Sequence, residues 1–212
     1  MPKTEPFDSY SDEYDQWFIE HEYVFQSELK AIRKVLPVSG RGIEIGVGSG
    51  IFAEPLGILE GIDPSPSMRA KARKRNVNVI DAVAENLPYA DESVDFAVMI
   101  TTLCFVDDLY QCLSEARRVL KDGGTLIIGF VDKDSPVGQL YLQHRDESVF
   151  YRNAVFYSSE ELSRILNKTG FGIEKIFQTV FGKLDEIDRV QDVLEGYGKG
   201  SFVAMSVKKS VS

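Results

Sequence analysis

Little in this chain can hold a metal or form a cross-link. It carries two cysteines, Cys104 and Cys112, and two histidines, His21 and His144. None of them shows metal-ligand spacing, so no resident metal is expected. Two cysteines in apolar surroundings give no disulfide framework and suit a reducing compartment, which points to the cytoplasm. No run of eighteen or more apolar residues occurs, so no segment reads as a membrane span and a soluble protein is expected. The first six residues are polar, lack an apolar stretch and are not read as a signal peptide.

Positive charge is also short. Lys and Arg number 24 against 33 Asp and Glu, a formal net charge of -9. A phosphate backbone attracts basic surfaces, so nucleic acid is not the expected partner. The one basic run, residues 69–75, alternates with alanine and reads as the solvated face of a helix. With 212 residues, 43% of them hydrophobic, the chain suits one domain with one sizeable core. No internal repeat or low-complexity tract is apparent.

What the chain does have is a glycine loop. Gly42-Ile-Glu-Ile-Gly46-Val-Gly48-Ser-Gly50 is a short apolar strand entering a turn, and Gly61-Ile-Asp63-Pro64-Ser65 is a second strand ending in a carboxylate. That order builds a pocket for an adenosine-bearing ligand. A dinucleotide loop would place a third glycine at position 51, which is Ile51. This argues against a nicotinamide-dependent reductase. The loop instead reads G-x-G-x-G, which lets backbone approach a ligand that carries no phosphate.

Around that loop, apolar periodicity alternates between two and three to four. Strands are expected at 41–45, 59–62, 77–80, 94–100 and 125–130, with helices at 25–36, 51–56, 67–75 and 109–120 between them. The last helix is read as stopping at Asp122-Gly123-Gly124. Residues 131–158 show no clear period and are rich in aromatics. A helix at 159–168 and two further strands, at 171–181 and 201–208, follow. The pattern predicts an α/β fold with a doubly wound, mostly parallel sheet.

Glu44-x-Gly46-x-Gly48-x-Gly50, Gly61-x-Asp63, Asn86-Leu-Pro88, Val94-Asp95-Phe96 and Arg117-Arg-Val-Leu-Lys-Asp-Gly-Gly124 together resemble the class I S-adenosylmethionine-dependent methyltransferases. The similarity is to the small ubiquinone/menaquinone-methyltransferase-like group with a type 11 methyltransferase domain. It covers about residues 10–130, and the rest more loosely. It implies a seven-stranded Rossmann-like sheet with an antiparallel C-terminal edge strand, and S-adenosylmethionine as cofactor. One domain is expected. Residues 1–37 would form a helical lid, 38–130 the cofactor core, 131–158 a substrate-side insertion, and 159–212 a helix and edge strands.

The resemblance also assigns roles. Asp63 would accept both ribose hydroxyls, with Pro64 and Ser65 beside it. Gly46 and Gly48 would give room and carbonyls to the methionine part, and Glu44 would order their loop. Val83, Ala84 and Glu85 would meet the adenine, although Val83 stands where relatives often carry an acid. Either the backbone of Val83 and Ala84 meets the adenine edge alone, or Asp81 or Glu85 takes the place of that acid. Ser65 and Met68 would flank the ring, Thr101 and Leu103 would line the methionine side, and Tyr14 and Trp17 would fold over the cofactor. No catalytic residue is identified. His144 is weighed as a base and His21 as structural. The implied activity is methyl transfer to a small-molecule acceptor, with a cofactor-binding regulator or scaffold without turnover as the alternative.

Overall fold

The computed structural model describes residues 4–210. The start of the polar N-terminal segment, residues 1–3, and residues 211–212 lie outside the described residues. Eight strands form one sheet: β1 (Gly42–Ile45), β2 (Glu60–Ile62), β3 (Asn78–Ile80), β4 (Val94–Ile100), β5 (Leu120–Val131), β6 (Phe171–Thr179), β7 (Leu194–Glu195) and β8 (Phe202–Lys209). Their order is β3-β2-β1-β4-β5-β8-β6-β7. The first five are parallel. β8 runs antiparallel to both β5 and β6.

The C-terminal strand is therefore antiparallel, as expected, but it sits inside the sheet. The eighth strand is β7, two residues long, added outside β6. β8 earns its inner place by composition: Phe202 through Val207 are all buried, which suits a strand covered on both faces.

Helices cover both faces. They are α1 (Glu5–Ser9), α2 (Ser11–Glu20), α3 (Glu22–Val35), α4 (Ala53–Leu56), α5 (Pro66–Lys74), α6 (Leu109–Val119), α7 (Pro136–Gln143) and α8 (Ser159–Lys168). Strand alternation divides the core into two. Ala97 and Met99 of β4, with Leu126 and Ile128 of β5, pack with Leu113 of α6 and Leu162 of α8. Val98, Ile100 and Ile127 face the other way, onto Leu29 and Ile32 of α3 and Ala72 of α5. Caps set several helix starts. Asp108 accepts from Gln111 N, and Ser158 with Glu161 forms a reciprocal capping box.

Two local expectations change. α6 ends at Val119 and passes directly into β5, without a stop at Asp122-Gly123-Gly124. Those residues fall in a register shift, where Val94 pairs with Leu120 but Phe96 pairs with Thr125. Within 131–158, Pro136–Gln143 is helical, with Ser135 Oγ accepting from Gly138 N.

The sheet order fixes where a ligand can sit. The chain winds outward through β1, β2 and β3, then returns to place β4 on the other side of β1. At such a reversal the loops leaving the two strands diverge and open a crevice at their carboxyl ends. Here those loops begin at Gly46 and Thr101.

Candidate functional site

The loop after β1 is shaped by what touches it. Gly46 has φ +72, and a Cβ there would overlap the Thr102 side chain. Thr102 Oγ1 lies 3.1 Å from Ile100 O and 3.3 Å from Gly46 O, so its one proton is shared between its own strand end and the facing loop, and the β1 and β4 loops meet across the crevice. Gly48 has φ +54 and lines the cavity, and a Cβ there would make only an ordinary contact with the Tyr14 ring, Oη lying at 3.7 Å. Only glycine adopts these angles freely, and of the two only Gly46 is also held by a steric overlap. Thr101 also lies in the left-handed region, at φ +52, with its N–H donating to Gly129 O at 2.7 Å. A non-glycine residue held there is locally strained, as loops at functional sites often are.

Asp63 ends β2 and joins two loops. Its Oδ2 accepts from Gly48 N and its Oδ1 from Ser65 N, both at 2.8 Å. Ser65 caps α5 by accepting from Met68 N, and its hydroxyl donates to Asp8 of α1 at 2.5 Å. Burial pushes the Asp63 carboxyl up to about 6, against the opposing pull of the two backbone N–H groups. Glu44 lies beneath the loop, 2% exposed, and its Oε2 has no hydrogen-bond partner among the described residues. Burial, with Asp63 nearby, holds Glu44 well above the carboxylate range. Glu44 and Asp63 are thus two buried acids on either side of the loop, both shifted upward by desolvation.

The crevice opens into a cavity of about 720 Å³. Tyr14, Trp17, Gly46, Gly48, Asp63, Pro64, Ser65, Val83, Ala84, Glu85 and Thr101 all line it. Glu44 and Met68 do not. Met68 is 1% exposed and packs in the interior, because the cap places its backbone, and not its side chain, toward Ser65. Leu103 is likewise buried in the core beneath the β4 loop. The two candidates for the place of an acid at Val83 both have partners within the protein. Asp81 is held by Arg69 at 2.8 Å, and Glu85 Oε1 accepts from Asp107 N and Asp108 N. The basic run is likewise engaged. Lys71 pairs with Asp12 and Asp15, and Arg75 pairs with Asp15 and Glu54, which ties α2 and α4 to α5.

The far end of the cavity is aromatic. Tyr141 of α7 stacks on Tyr151 with ring centroids 4.6 Å apart. Phe105 lies between Tyr151 and Phe7, at 6.3 and 5.0 Å. Phe150 packs against Phe7 and Tyr14. His144 sits at the rim, exposed, with Nδ1 3.1 Å from Glu147 Oε2. His21 stacks on Trp17 and its Nδ1 lies 2.9 Å from Trp17 O, a structural placement.

The sequence reading missed one acid at this end. Glu28 of α3 is 5% exposed and lines the cavity. A signal was available. Val24, Glu28, Ala31 and Val35 follow helical spacing on the buried stripe of α3, and a carboxylate on such a stripe is out of place. Among the described residues no group of three or more His, Cys, Asp or Glu is placed to hold a metal, and no helix is long and apolar enough to cross a membrane.

Comparison with known proteins agrees with this geometry. A family model described as a methyltransferase domain matches residues 43–128, which span the glycine loop through β5. A crystal structure of a Thermotoga maritima protein, titled an SAM-dependent methyltransferase and possible histamine N-methyltransferase, is 48% identical. It covers 97% of this chain and 99% of its own, with a TM-score of 0.94. An uncharacterised protein of Methanocaldococcus jannaschii is 45% identical over 96% of this chain and 98% of its own length. A demethylmenaquinone methyltransferase of Chlorobaculum parvum is 24% identical over 80% of this chain and 70% of its own. The chain belongs to the S-adenosylmethionine-dependent methyltransferase family, and S-adenosylmethionine is its cofactor.

Proposed function

We propose that this protein transfers a methyl group from S-adenosylmethionine to a small-molecule acceptor, with the cofactor at the Asp63 end of the cavity and the acceptor at the aromatic end. One observation carries the reading. A single cavity of about 720 Å³ has a glycine cradle and a strand-end carboxylate at one end and an apolar compartment at the other. Ligand sites commonly span roughly 300–1,000 Å³, and this one leaves room for two small molecules.

The residues fit the cofactor. Gly48 lines the cavity without a side chain and presents bare backbone to a ligand beside Tyr14. Asp63 spends one lone pair of each oxygen on Gly48 and Ser65, leaving each able to accept a ribose hydroxyl. Val83, Ala84 and Glu85 wall the adenine, read through backbone groups, since Asp81 pairs with Arg69 and Glu85 Oε1 accepts from the 107–108 backbone. Tyr14, Trp17 and Thr101 border the methionine part, and α1 and α2 act as a lid. The cofactor supplies an activated methyl on a sulfonium. The protein's part is to hold the acceptor in line and exclude water, for which approximation contributes on the order of 7 kcal/mol in favourable systems.

Calorimetry with S-adenosylmethionine and its demethylated product tests this reading. Binding of both is expected, and no binding at millimolar ligand overturns it. A protein that binds the cofactor without turnover is the second reading, favoured by the absence of an acid aimed at the adenine edge. It predicts binding but no demethylated product with any acceptor.

A further inference from the structure

Glu28 has no role in the cofactor cradle, and its surroundings give it none in the fold. Its carboxylate is reached by no hydrogen-bond donor and no cation among the described residues. The titratable group that senses it is Tyr141, across the cavity on α7. An acid 5% exposed and left unpartnered is a standing penalty to folding, since buried polar groups are otherwise hydrogen-bonded. Such a group makes sense when its partner arrives with a ligand. Around it the wall is aromatic: Tyr141 and Tyr151 stacked, with Phe18 on α2 and Phe105 beyond.

We propose that the methyl acceptor is an arylalkylamine, its ring lying against Tyr141, Tyr151 and Phe105 and its nitrogen bound by the Glu28 carboxylate. This rests on the methyltransferase reading above and names the acceptor class of the same cavity. A carboxylate in an apolar wall attracts a cation, repels an anion, and gains less from a neutral hydroxyl. The faces of the surrounding rings add to the preference for positive charge. An acceptor that must become anionic would be disfavoured beside Glu28.

Glu28 also solves a chemical problem for such an acceptor. An ammonium nitrogen has no lone pair, so it must lose a proton before it can act as a nucleophile. In water the amine keeps that proton. In an apolar compartment the charged pair is penalised on both sides, and transfer of one proton from nitrogen to Glu28 Oε leaves a neutral acid and a neutral amine. Burial pushes the Glu28 carboxyl of the empty site up to about 8, so it holds a proton at neutral pH; an arriving ammonium displaces that proton to solvent, and transfer of one proton from nitrogen to Oε then restores the neutral acid beside a neutral amine. No further reactant is needed, because the proton moves from the acceptor nitrogen to a carboxylate oxygen within one site.

The test uses the full chain loaded with demethylated cofactor and three probes of similar shape: 2-phenylethylamine, 2-phenylethanol and 3-phenylpropanoate. Calorimetry of the wild type is expected to show the amine binding at least tenfold tighter than the alcohol, with the acid weakest. Glu28→Gln should reduce that preference to threefold or less while leaving affinity for demethylated cofactor unchanged, which also reports that the variant is folded. Glu28→Asp, with the charge withdrawn by one methylene, should fall between. Equal binding of amine and alcohol, no amine binding, or a preference that survives in Glu28→Gln would each overturn the assignment while cofactor binding leaves the methyltransferase reading intact. Failure of the wild type to bind demethylated cofactor would remove both.

Discussion

The two ends of the cavity are built on opposite plans. At the cofactor end the polar groups that face the cavity are paired within the protein: Asp63 with Gly48 and Ser65, Ser65 with Asp8, Thr102 with Gly46, Glu85 with the 107–108 backbone, while the unpartnered Glu44 Oε2 lies beneath the loop and outside the cavity. The ligand meets a scaffold whose shape is set before it arrives. At the acceptor end the rings pack on one another and one carboxylate, Glu28, is left without a partner. The first plan reads a constant ligand by preorganised backbone. The second stores an unfavourable burial that a ligand of the right charge relieves. Perturbing the first should damage shape, whereas perturbing the second should change stability and selectivity in opposite directions.

The largest effect is expected at Gly46. Gly46→Ala combines left-handed strain with overlap on Thr102, and about 4 kcal/mol of stability should be lost. Chemical unfolding measures it, and a loss under 1 kcal/mol would show that the two loops are not locked. Gly48→Ala, with a similar φ but only an ordinary contact to Tyr14, should lose only about 1 kcal/mol of stability. Its damage should fall instead on cofactor affinity.

Glu28→Gln should do the reverse and stabilise the protein without ligand, by on the order of 3 kcal/mol at pH 9. The folded Glu28 carboxyl titrates at about 8 against 4.5 in a model peptide. Between those values the folded state holds a proton that the unfolded state has released. Stability from this group is therefore greatest in acid and is lost as pH rises through the window. Glu44, also displaced upward, adds a slope of the same sign. Thermal unfolding from pH 5 to 9 should show a falling melting temperature that is visibly flatter in Glu28→Gln. An identical slope in both proteins would mean that Glu28 is hydrated or paired.

Asp63→Ala comes next. Losing the charge-assisted contact to the ribose should weaken cofactor binding by about 2 kcal/mol. Gly48 N and Ser65 N lose their acceptor as well, so a smaller drop in melting temperature should accompany it. Unchanged affinity would show that the carboxylate serves only the loops. Affinity should also decline as pH falls below about 6, where the carboxyl takes up a proton and can no longer accept from both hydroxyls.

The contrast between the two ends also governs what the sequence could reveal. Residues 44–50 and 63–65 are short contiguous stretches, because a glycine loop and a strand-end acid are local devices with local spacing. The acceptor end is assembled from positions 28, 105, 141 and 151, which share no spacing and meet only after the sheet has formed. In the fold, the parallel strands were legible from apolar runs such as Val94–Ile100. The insertion of β8 between β5 and β6 was not, since pairing partners far apart in sequence leave no periodic trace. α7 went unread although Ser135-Pro136 is a helix-start signal, because eight residues span little more than two turns and leave too few positions to show a period. Gly123 and Gly124 misled for a physical reason: the same glycines that end helices also permit a bulge.

Tyr14 stands between the two ends and gives the smallest but most discriminating test. Its hydroxyl lies near Thr101, it borders Gly48, and it lies close enough to Tyr151 to raise that phenol further. Tyr14→Phe removes one polar group from the cavity wall and keeps the ring, so about 1 kcal/mol or less should be lost in cofactor affinity. If the ends act independently, the preference of the loaded protein for amine over alcohol should be the same in Tyr14→Phe as in wild type. The double variant with Glu28→Gln should then show additive effects within about 0.5 kcal/mol. A larger interaction energy would mean that the lid tyrosine transmits cofactor occupancy to the acceptor compartment, and the division into two separately built ends would have to be given up.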